Sequence, residues 1–253
     1  MTPSLSVVVP MLNEADNVEP LVREVAAALG AMAYELIIVD DGSSDATRAR
    51  AQGLMRETPA LRLLAHPTPR GQSTALWNGV RAARGEWIAV LDGDLQNDPA
   101  DIQRLLAERD AAGTRPAARP LGMLIGHRVT RRDSPLRRLS SRVANMVRQA
   151  LLKDATPDTG CGLKLVRRSV FAELPYFDHM HRFMPALVQQ AGYAVISVPV
   201  GHRPRQAGRS KYGVLNRLWV GIVDLFGVAW LARRNRRTAW SEVPGNRSEQ
   251  DRS

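Results

Sequence analysis

The sequence predicts an α/β fold built on a mostly parallel sheet with helices on both faces, and three observations predict it. Short apolar, β-branched runs alternate with helical patterns through the N-terminal half, as crossover connections between parallel strands require. The runs are apolar throughout instead of alternating, which fits strands covered on both faces. Each of three such runs ends in a polar, acid-rich turn, and sites in parallel sheets lie outside the carboxyl ends of the strands.

Taken in order, Leu5 to Val9 is the first strand, closed by a turn over Pro10 to Asn13. Glu14 to Leu29 carries Val18, Leu21, Val22, Val25 and Leu29 at helical spacing. Glu35 to Val39 is the second strand and runs into Asp40-Asp41-Gly42-Ser43-Ser44-Asp45. Ser44 or Asp45 is placed to cap a helix reaching about Met55, because short oxygen side chains satisfy the free N–H groups of a helix start. Leu61 to Ala65 is a third strand, Gln72 to Ala83 a helix, and Trp87 to Leu91 a fourth strand closed by Asp92-Gly93-Asp94. A helix over Pro99 to Ala112 then leads into a Pro/Ala/Arg loop, Gly113 to Pro120.

Beyond this loop, Leu121 to Gly126 reads as a strand. The segment Arg128 to Lys153 holds eight Arg or Lys and one acid, Asp133, with Leu136, Leu139, Val143, Val147 and Leu151 at helical intervals: a basic amphipathic helix. A turn at Asp158 to Gly162, a strand at Leu163 to Val166, helices near Ser169–Leu174 and Met180–Ala191, and a strand at Ala194 to Val200 follow. Leu215 to Leu231 is apolar with Trp and Phe on it and is bordered by Arg217 and by Arg233, Arg234, Arg236 and Arg237, as an interfacial helix would be. The organisation expected is one catalytic-size domain over 1–212, an amphipathic membrane-surface or packing helix over 213–237, and a disordered polar tail over 238–253.

Composition narrows the class. The 253 residues are 44% hydrophobic and 24% charged, which argues against a disordered or fibrous chain. The single cysteine, Cys161, rules out an intrachain disulfide framework and fits a reducing compartment. The first apolar run is too short for a signal peptide, and no run reaches the roughly 18–20 apolar residues of a spanning helix. A net charge of +10 points to a phosphate-bearing partner: nucleic acid, an anionic membrane surface or a phosphorylated substrate.

The chemistry is carried by the strand ends. Two carboxylates one residue apart, Asp92 and Asp94, with the oxygen donor Gln96 close by, suit a hard divalent cation such as Mg²⁺ or Mn²⁺ that would neutralise a diphosphate. An isolated Asp-Gly-Asp is more often a hydrated turn; its place after a buried strand, with Asp41 at another strand end, shifts the reading toward metal and nucleotide. Asp40-Asp41-Gly42-Ser43 and Pro10-Met11-Leu12-Asn13-Glu14 are each ambiguous alone, between turn and pocket wall. His179 and His181 beside Asp178 read as a surface or acceptor-side group, Cys161 as a buried thiol, and Trp77 and Trp87 as core or pocket-wall aromatics.

The ordered set resembles glycosyltransferase family 2 with a GT-A, Rossmann-like fold. The matching stretches are Val7 to Pro10 with Asn13-Glu14, Ile37 to Ser43, Gly71 with the following helix and Gly85, and Asp92 to Gln96. Gly126-His127-Arg128, Ser141-Arg142 with Asn145, Asp158-Thr159-Gly160-Cys161-Gly162, and Arg205 with Gly208 to Lys211 are similar to the dolichol- or polyprenol-phosphate sugar transferase branch. The resemblance covers roughly residues 5 to 215. It implies inverting transfer of a sugar from a UDP- or GDP-sugar to a polyprenyl phosphate. By motif it implies that Pro10, Leu12, Glu14, Val39, Asp41, Asp92 and Gly93 bind the nucleotide-sugar and that Asp92, Asp94 and Gln96 hold Mg²⁺ or Mn²⁺. Arg128, Arg142, Arg205 and Lys211 would gather the phosphates, with Asp94, Arg128 and Asp158 nearest the chemistry. Three positions depart from the family's pattern: His127 and Cys161 stand where Ser is common, and Leu12 replaces a frequent Tyr, which removes an aromatic contact with the base.

The residue list fits the chemistry the resemblance implies. A phosphate monoester is already largely ionised near neutral pH, its second pKa being about 6, so the attacking oxygen needs little help from a base. The carboxylate motif that serves hydroxyl acceptors is absent, which counts against polysaccharide or glycolipid synthesis, the alternative within the family. Asp158 is equally a base, a residue orienting an Arg, or a turn cap. The segment Gly208 to Lys211 would close over the donor. A nucleotidyltransferase would carry a Gly-rich basic segment after the first strand, and a nucleic-acid binder leaves the acidic strand ends unexplained, so no nucleic-acid partner is expected. Family relatives often have spanning helices after the position where this chain ends. A cytoplasmic protein held peripherally at the cytoplasmic face is therefore expected, with an anionic membrane surface, a membrane-protein partner or a second copy of the chain against the last helix.

Overall fold

The computed structural model describes residues 3–129, 146–154, 156–204 and 214–234, with side chains of the last segment described from residue 221. Seven of the apolar runs form one sheet. In chain order the elements are β1 (Leu5–Met11), α1 (Ala15–Leu29), β2 (Tyr34–Asp40), α2 (Thr47–Leu54), β3 (Leu61–Ala65), α3 (Gln72–Ala82), β4 (Trp87–Val90), α4 (Asp101–Gly113), β5 (Leu121–Arg128), the helical residues 146–152 as α5, β6 (Lys164–Arg167), α6 (Arg168–Ala172), a single 3-10 turn (Met180–Arg182), α7 (Met184–Gln190), β7 (Ala194–Val200) and α8 (Val214–Arg234).

The strand order is β3-β2-β1-β4-β6-β5-β7. β3, β2, β1 and β4 are parallel, β5 and β7 are parallel, and β6 runs antiparallel to both of its neighbours, β4 and β5. The mostly parallel α/β architecture expected from the sequence is thus present. The apolar pattern of β6 could not give its direction, because a strand buried on both faces looks the same read either way. Antiparallel β6 begins where β4 ends, so its first residue, Lys164, pairs with Val90, the last of β4. That reversal delivers the Asp158–Gly162 turn to the carboxyl edge of the parallel strands.

Packing explains the element boundaries. Val7, Val8, Val9, Leu36, Ile37, Ile38 and Val39 are fully buried in the sheet, and α3 lies directly on β1 and β2. A Cβ on Gly79 of α3 would stand 2.5 Å from Cγ1 of Val8 and 2.9 Å from Cγ2 of Val39, so only glycine allows this approach. Buried Glu35 ties the opposite sheet edge together. It accepts hydrogen bonds from Ser6 Oγ (2.7 Å), Arg84 N (2.6 Å) and Arg62. Burial alone would raise its pKa, and these donors overcome that and lower it.

Helix ends differ modestly from expectation. α2 begins at Thr47, whose N–H and hydroxyl both bond Asp45. The single helix expected over Met180 to Ala191 is a 3-10 turn followed by α7, the break falling at Phe183 before Pro185 at the start of the new helix. α8 carries Asp224 on its inward side, where Oδ2 lies 3.0 Å from Nδ1 of His179. Val228 and Ala229 are buried beside it, and Ile222, Val223, Phe226 and Trp230 face outward. Among the described residues no helix is long and apolar enough to cross a membrane. The first half of the basic helix, with Leu136, Leu139 and Val143, and the tail over 238–253 lie outside the described residues.

Candidate active site

The site is built where β2, β1 and β4, adjacent and parallel, end at one edge. Asn13, with positive φ (50°), stitches the first two ends: its N–H donates to Ser43 Oγ (2.9 Å) and its side-chain oxygen accepts from Ser44 N (2.8 Å). Glu14 is buried, takes a 2.6 Å hydrogen bond from Asn17 Nδ2, and donates its N–H to Thr47 Oγ1 at 2.9 Å. Asp40 is wholly buried and holds Ser43 N (3.1 Å) and Arg48 Nε (2.8 Å), which makes it a brace for the turn.

Asp41 stands at the edge with both oxygens engaged. Oδ1 accepts from Arg70 N (2.8 Å) and lies 2.7 Å from His66 Nδ1, and Oδ2 accepts from Gly71 N (2.8 Å). The next residue, Gln72, opens α3 and donates Nε2 to Oδ1 of Asp92 at 2.8 Å. One short segment therefore joins the β2 and β4 ends, and it places the start of α3, where N–H groups favour anions, beside the carboxylates.

The Asp92–Gln96 turn is tightly determined. Gly93 is buried over β1, where a Cβ would meet Met11 Cγ at 2.8 Å. Leu95 has a positive φ (61°) and a buried side chain, an arrangement that costs of the order of 1 kcal/mol and is found at functional turns. Asp94 Oδ1 accepts from Gln96 N at 3.2 Å. Burial, the largest influence, pushes the pKa of Asp92 up and Asp94 pushes it the same way; Lys164, Gln72 and Arg128 pull it down. A carboxylate such as Asp92, whose ionisation is disfavoured by burial and by a like charge, gains from a cation.

The Asp158–Gly162 turn closes the other side. Arg128, at the end of β5, makes a bidentate ion pair with Asp158: Nε to Oδ2 2.7 Å and Nη2 to Oδ1 2.8 Å. Burial would lower the Arg128 pKa; the Asp158 bonds overcome this and raise it. Gly162 lies so close to the Asp92 turn that a Cβ there would be 2.2 Å from Asp92 Oδ2 and 2.5 Å from Asn97 Oδ1. Cys161 is buried with its thiol pKa raised by that burial, in keeping with a packing role.

The structure thus brings Asp41, Asp92, Asp94, Gln96, Arg128 and Asp158 to one edge. Pro10 and Leu12 are half-buried at the β1 end. Val39 is in the core with Cγ2 toward Gly79, so its side chain serves the packing of α3. Arg142, Arg205 and Lys211 lie outside the described residues, as do Ser141, Asn145, Gly208 and Ser210. Sequence reasoning missed Gln72, Ser73 and Lys164, and His181, read there as a surface or acceptor-side group, packs against Ser73 of α3. Buried Ser73 lies 2.8 Å from Nδ1 of His181, and burial, aided by Lys164, Arg182 and His179, pushes His181 down to about 3. A lysine inside a run as apolar as Leu163 to Val166 was the available signal. Arg203, two residues before Arg205, holds the Asp92–Asp98 loop by donating its N–H to Gln96 O (2.9 Å) and pairing with Asp98 (2.5 Å) and Glu24 (2.6 Å).

Among the described residues no group of three or more His, Cys, Asp or Glu is arranged to hold a metal alone. The donor set here, Asp92 and Asp94 with Gln96 near, supplies hard oxygens from two carboxylates and leaves the remaining coordination to phosphate and water, which is how Mg²⁺ and Mn²⁺ are commonly bound. The residues fit such an ion.

Comparisons place the chain in a family. The model of glycosyl transferase family 2 matches residues 6–175. The chain is 40% identical over 241 residues to a dodecaprenyl-phosphate galacturonate synthase of Rhizobium johnstonii, covering 92% of this chain and 68% of the relative. It is 34% identical over 218 residues to an undecaprenyl-phosphate 4-deoxy-4-formamido-L-arabinose transferase of Edwardsiella ictaluri, covering 83% of this chain and 63% of the relative. The chain therefore spans about two thirds of the length of these relatives. In fold it is similar to a mannosyltransferase from Pyrobaculum calidifontis in complex with GDP-Man and Mn²⁺ (TM-score 0.64, 23% identity, 94% of this chain and 66% of that one). It is also similar to a glucosyl-3-phosphoglycerate synthase from Mycobacterium tuberculosis in complex with Mn²⁺, UDP and product (TM-score 0.66, 20% identity, 91% of this chain and 80% of that one).

Proposed function

The chain belongs to glycosyl transferase family 2, and from that premise we propose that it moves a sugar from a UDP- or GDP-sugar onto a polyprenyl phosphate, with inversion, at a membrane surface. The observation that carries the reading is the meeting of two carboxylate-bearing strand ends, Asp41 and Asp92, with the Arg128–Asp158 pair on the opposite wall. The 40% identity to a polyprenyl-phosphate sugar transferase supports the acceptor class.

In this reading Pro10, Leu12, Glu14, Asp41 and Gly93 form the nucleotide wall, Asp41 chiefly by fixing the 66–71 loop, while Val39 stands behind it in the core. Asp92, Asp94 and Gln96 would hold Mg²⁺ or Mn²⁺. When bound, the ion supplies positive charge to the departing nucleoside diphosphate. Arg128 presents a planar guanidinium, kept in one orientation by Asp158, toward phosphate oxygens. Because Asp158 is committed to Arg128 by two hydrogen bonds, it serves better as the residue that orients that cation than as a base. The acceptor phosphate is its own nucleophile, so the protein's task is to hold two anions in line. Arg142, Arg205 and Lys211 complete the phosphate set by motif. The outward face of α8, with Phe226 and Trp230 beside Arg233 and Arg234, suits an anionic membrane surface.

The test is a panel of labelled UDP- and GDP-sugars with polyprenyl phosphate and Mg²⁺ or Mn²⁺. One donor gives an organic-extractable product, and Asp94→Ala abolishes it without loss of the folded state. Product that forms only on a water-soluble hydroxyl acceptor would overturn the reading.

A further inference from the structure

Lys164 is buried at the start of β6, facing the carboxyl end of β4. Its ammonium carries three N–H donors. Among the described residues, one acceptor is in hydrogen-bond contact with it, the carbonyl oxygen of Cys161. Its principal opposite charge is Asp92, for which Lys164 is in turn the largest charged influence; Cys161, Asp158 and Arg128 are its other electrostatic neighbours.

A buried ammonium with one hydrogen bond is expensive unless an anion completes its shell. Asp92 cannot serve as that anion throughout the reaction, because the reading given above assigns its carboxylate to a divalent cation. Loading the ion would leave Lys164 facing positive charge. Asp92, Arg128 and His181 are electrostatic neighbours of Lys164, so it belongs to the edge to which the reading given above assigns the donor.

Resting on that reading, we infer that Lys164 is a donor-binding residue whose ammonium receives an oxyanion of the nucleotide-sugar. The oxyanion is either a diphosphate oxygen or a carboxylate on the sugar. Both present the same chemistry, and the donor panel separates them. The competing role is a counter-ion that merely neutralises Asp92 within the fold.

The experiment is equilibrium binding, by calorimetry, of Mn²⁺ alone and then of UDP, GDP, UDP-galactose and UDP-galacturonate at saturating Mn²⁺, for the full chain and for Lys164→Met and Lys164→Arg. Lys164→Met is expected to bind Mn²⁺ at least as tightly as the unsubstituted protein and to lose tenfold or more in donor affinity, and Lys164→Arg to recover part of it. An equal loss for the nucleoside diphosphate and both sugar nucleotides assigns the diphosphate; a loss confined to UDP-galacturonate assigns the carboxylate. Undiminished affinity for every probe overturns the inference. Should Lys164→Met fail to fold, the ¹⁵Nζ resonance of Lys164 in the unsubstituted protein decides: it shifts on donor addition, and its indifference to donor overturns the inference. Binding that depends on Lys164 without any lipid-linked product would overturn the proposed acceptor and leave this inference standing.

Discussion

Asp41 and Asp92, at the ends of two strands that are not neighbours in the sheet, are held by consecutive residues: Gly71 donates its N–H to Asp41 and Gln72 its side-chain amide to Asp92, each at 2.8 Å. The turn before α3 thus sets the spacing of the two carboxylates, and the start of a helix faces the gap between them.

Gln72→Ala removes the only part of that clamp made by a side chain. Asp92 would lose a hydrogen bond that helps keep it ionised, worth about 1 kcal/mol. Metal-dependent nucleotide affinity should fall roughly five- to tenfold, with the melting temperature nearly unchanged because Asp41 and its backbone donors remain. Unchanged nucleotide binding would show that the clamp does not act on the site.

Gly162→Ala tests the contact between the two walls. Its methyl would fall 2.2 Å from Asp92 Oδ2, so the Asp92 turn or the Asp158–Gly162 turn must move. Overpacking of this kind costs about 1–3 kcal/mol. The expected result is a lower denaturant midpoint together with a tenfold or greater loss of Mn²⁺-dependent nucleotide binding; a variant matching the parent in both would contradict the close approach.

His181 predicts how acid affects the fold. Its pKa in the folded chain is pushed down to about 3, chiefly by burial, from an ordinary 6.5. Between these values the unfolded chain holds a proton that the folded chain does not, so stability rises with pH there and is lost as pH falls below about 6.5. Moving from pH 6.5 to pH 5 should cost up to about 2 kcal/mol from this group. His181→Gln should flatten that part of the curve in urea unfolding at a series of pH values. An equal slope in the variant would place the acid sensitivity on another group.

The outward face of α8 is the last case. Phe226 and Trp230 are 61% and 58% exposed, while Asp224 turns inward to His179, leaving Ile222, Val223, Phe226 and Trp230 as an apolar strip outside. Replacing both aromatic residues with Ser should lower co-sedimentation with anionic lipid vesicles by tenfold or more, since each buried aromatic contributes about 1.5–3 kcal/mol. Nucleotide binding in solution should stay the same. Vesicle binding that survives the double change would point to another surface.

Much of this was legible in the chain. The alternation of β1, α1, β2, α2, β3, α3 and β4 follows from runs that must be buried on both faces and helices with one apolar stripe. The acids at the strand ends stood out because each directly follows an apolar run, although Asp40 proves to brace its turn. Asp224 and its partner, His179, are brought together only by tertiary packing.

The sequence by itself determined most of the strands and helices, though not the break at Phe183, and it determined which strand ends bear oxygen donors and which motifs carry the family resemblance, because these depend on local periodicity and residue type. Tertiary structure alone decided the direction of β6, the joining of Asp41 to Asp92 through Gly71 and Gln72, the pairing of Arg128 with Asp158, and the burial of Lys164 beside Asp92. Each of those depends on which distant segments share an edge of the sheet, and burial and charge at such an edge are properties of the neighbours that folding brings in.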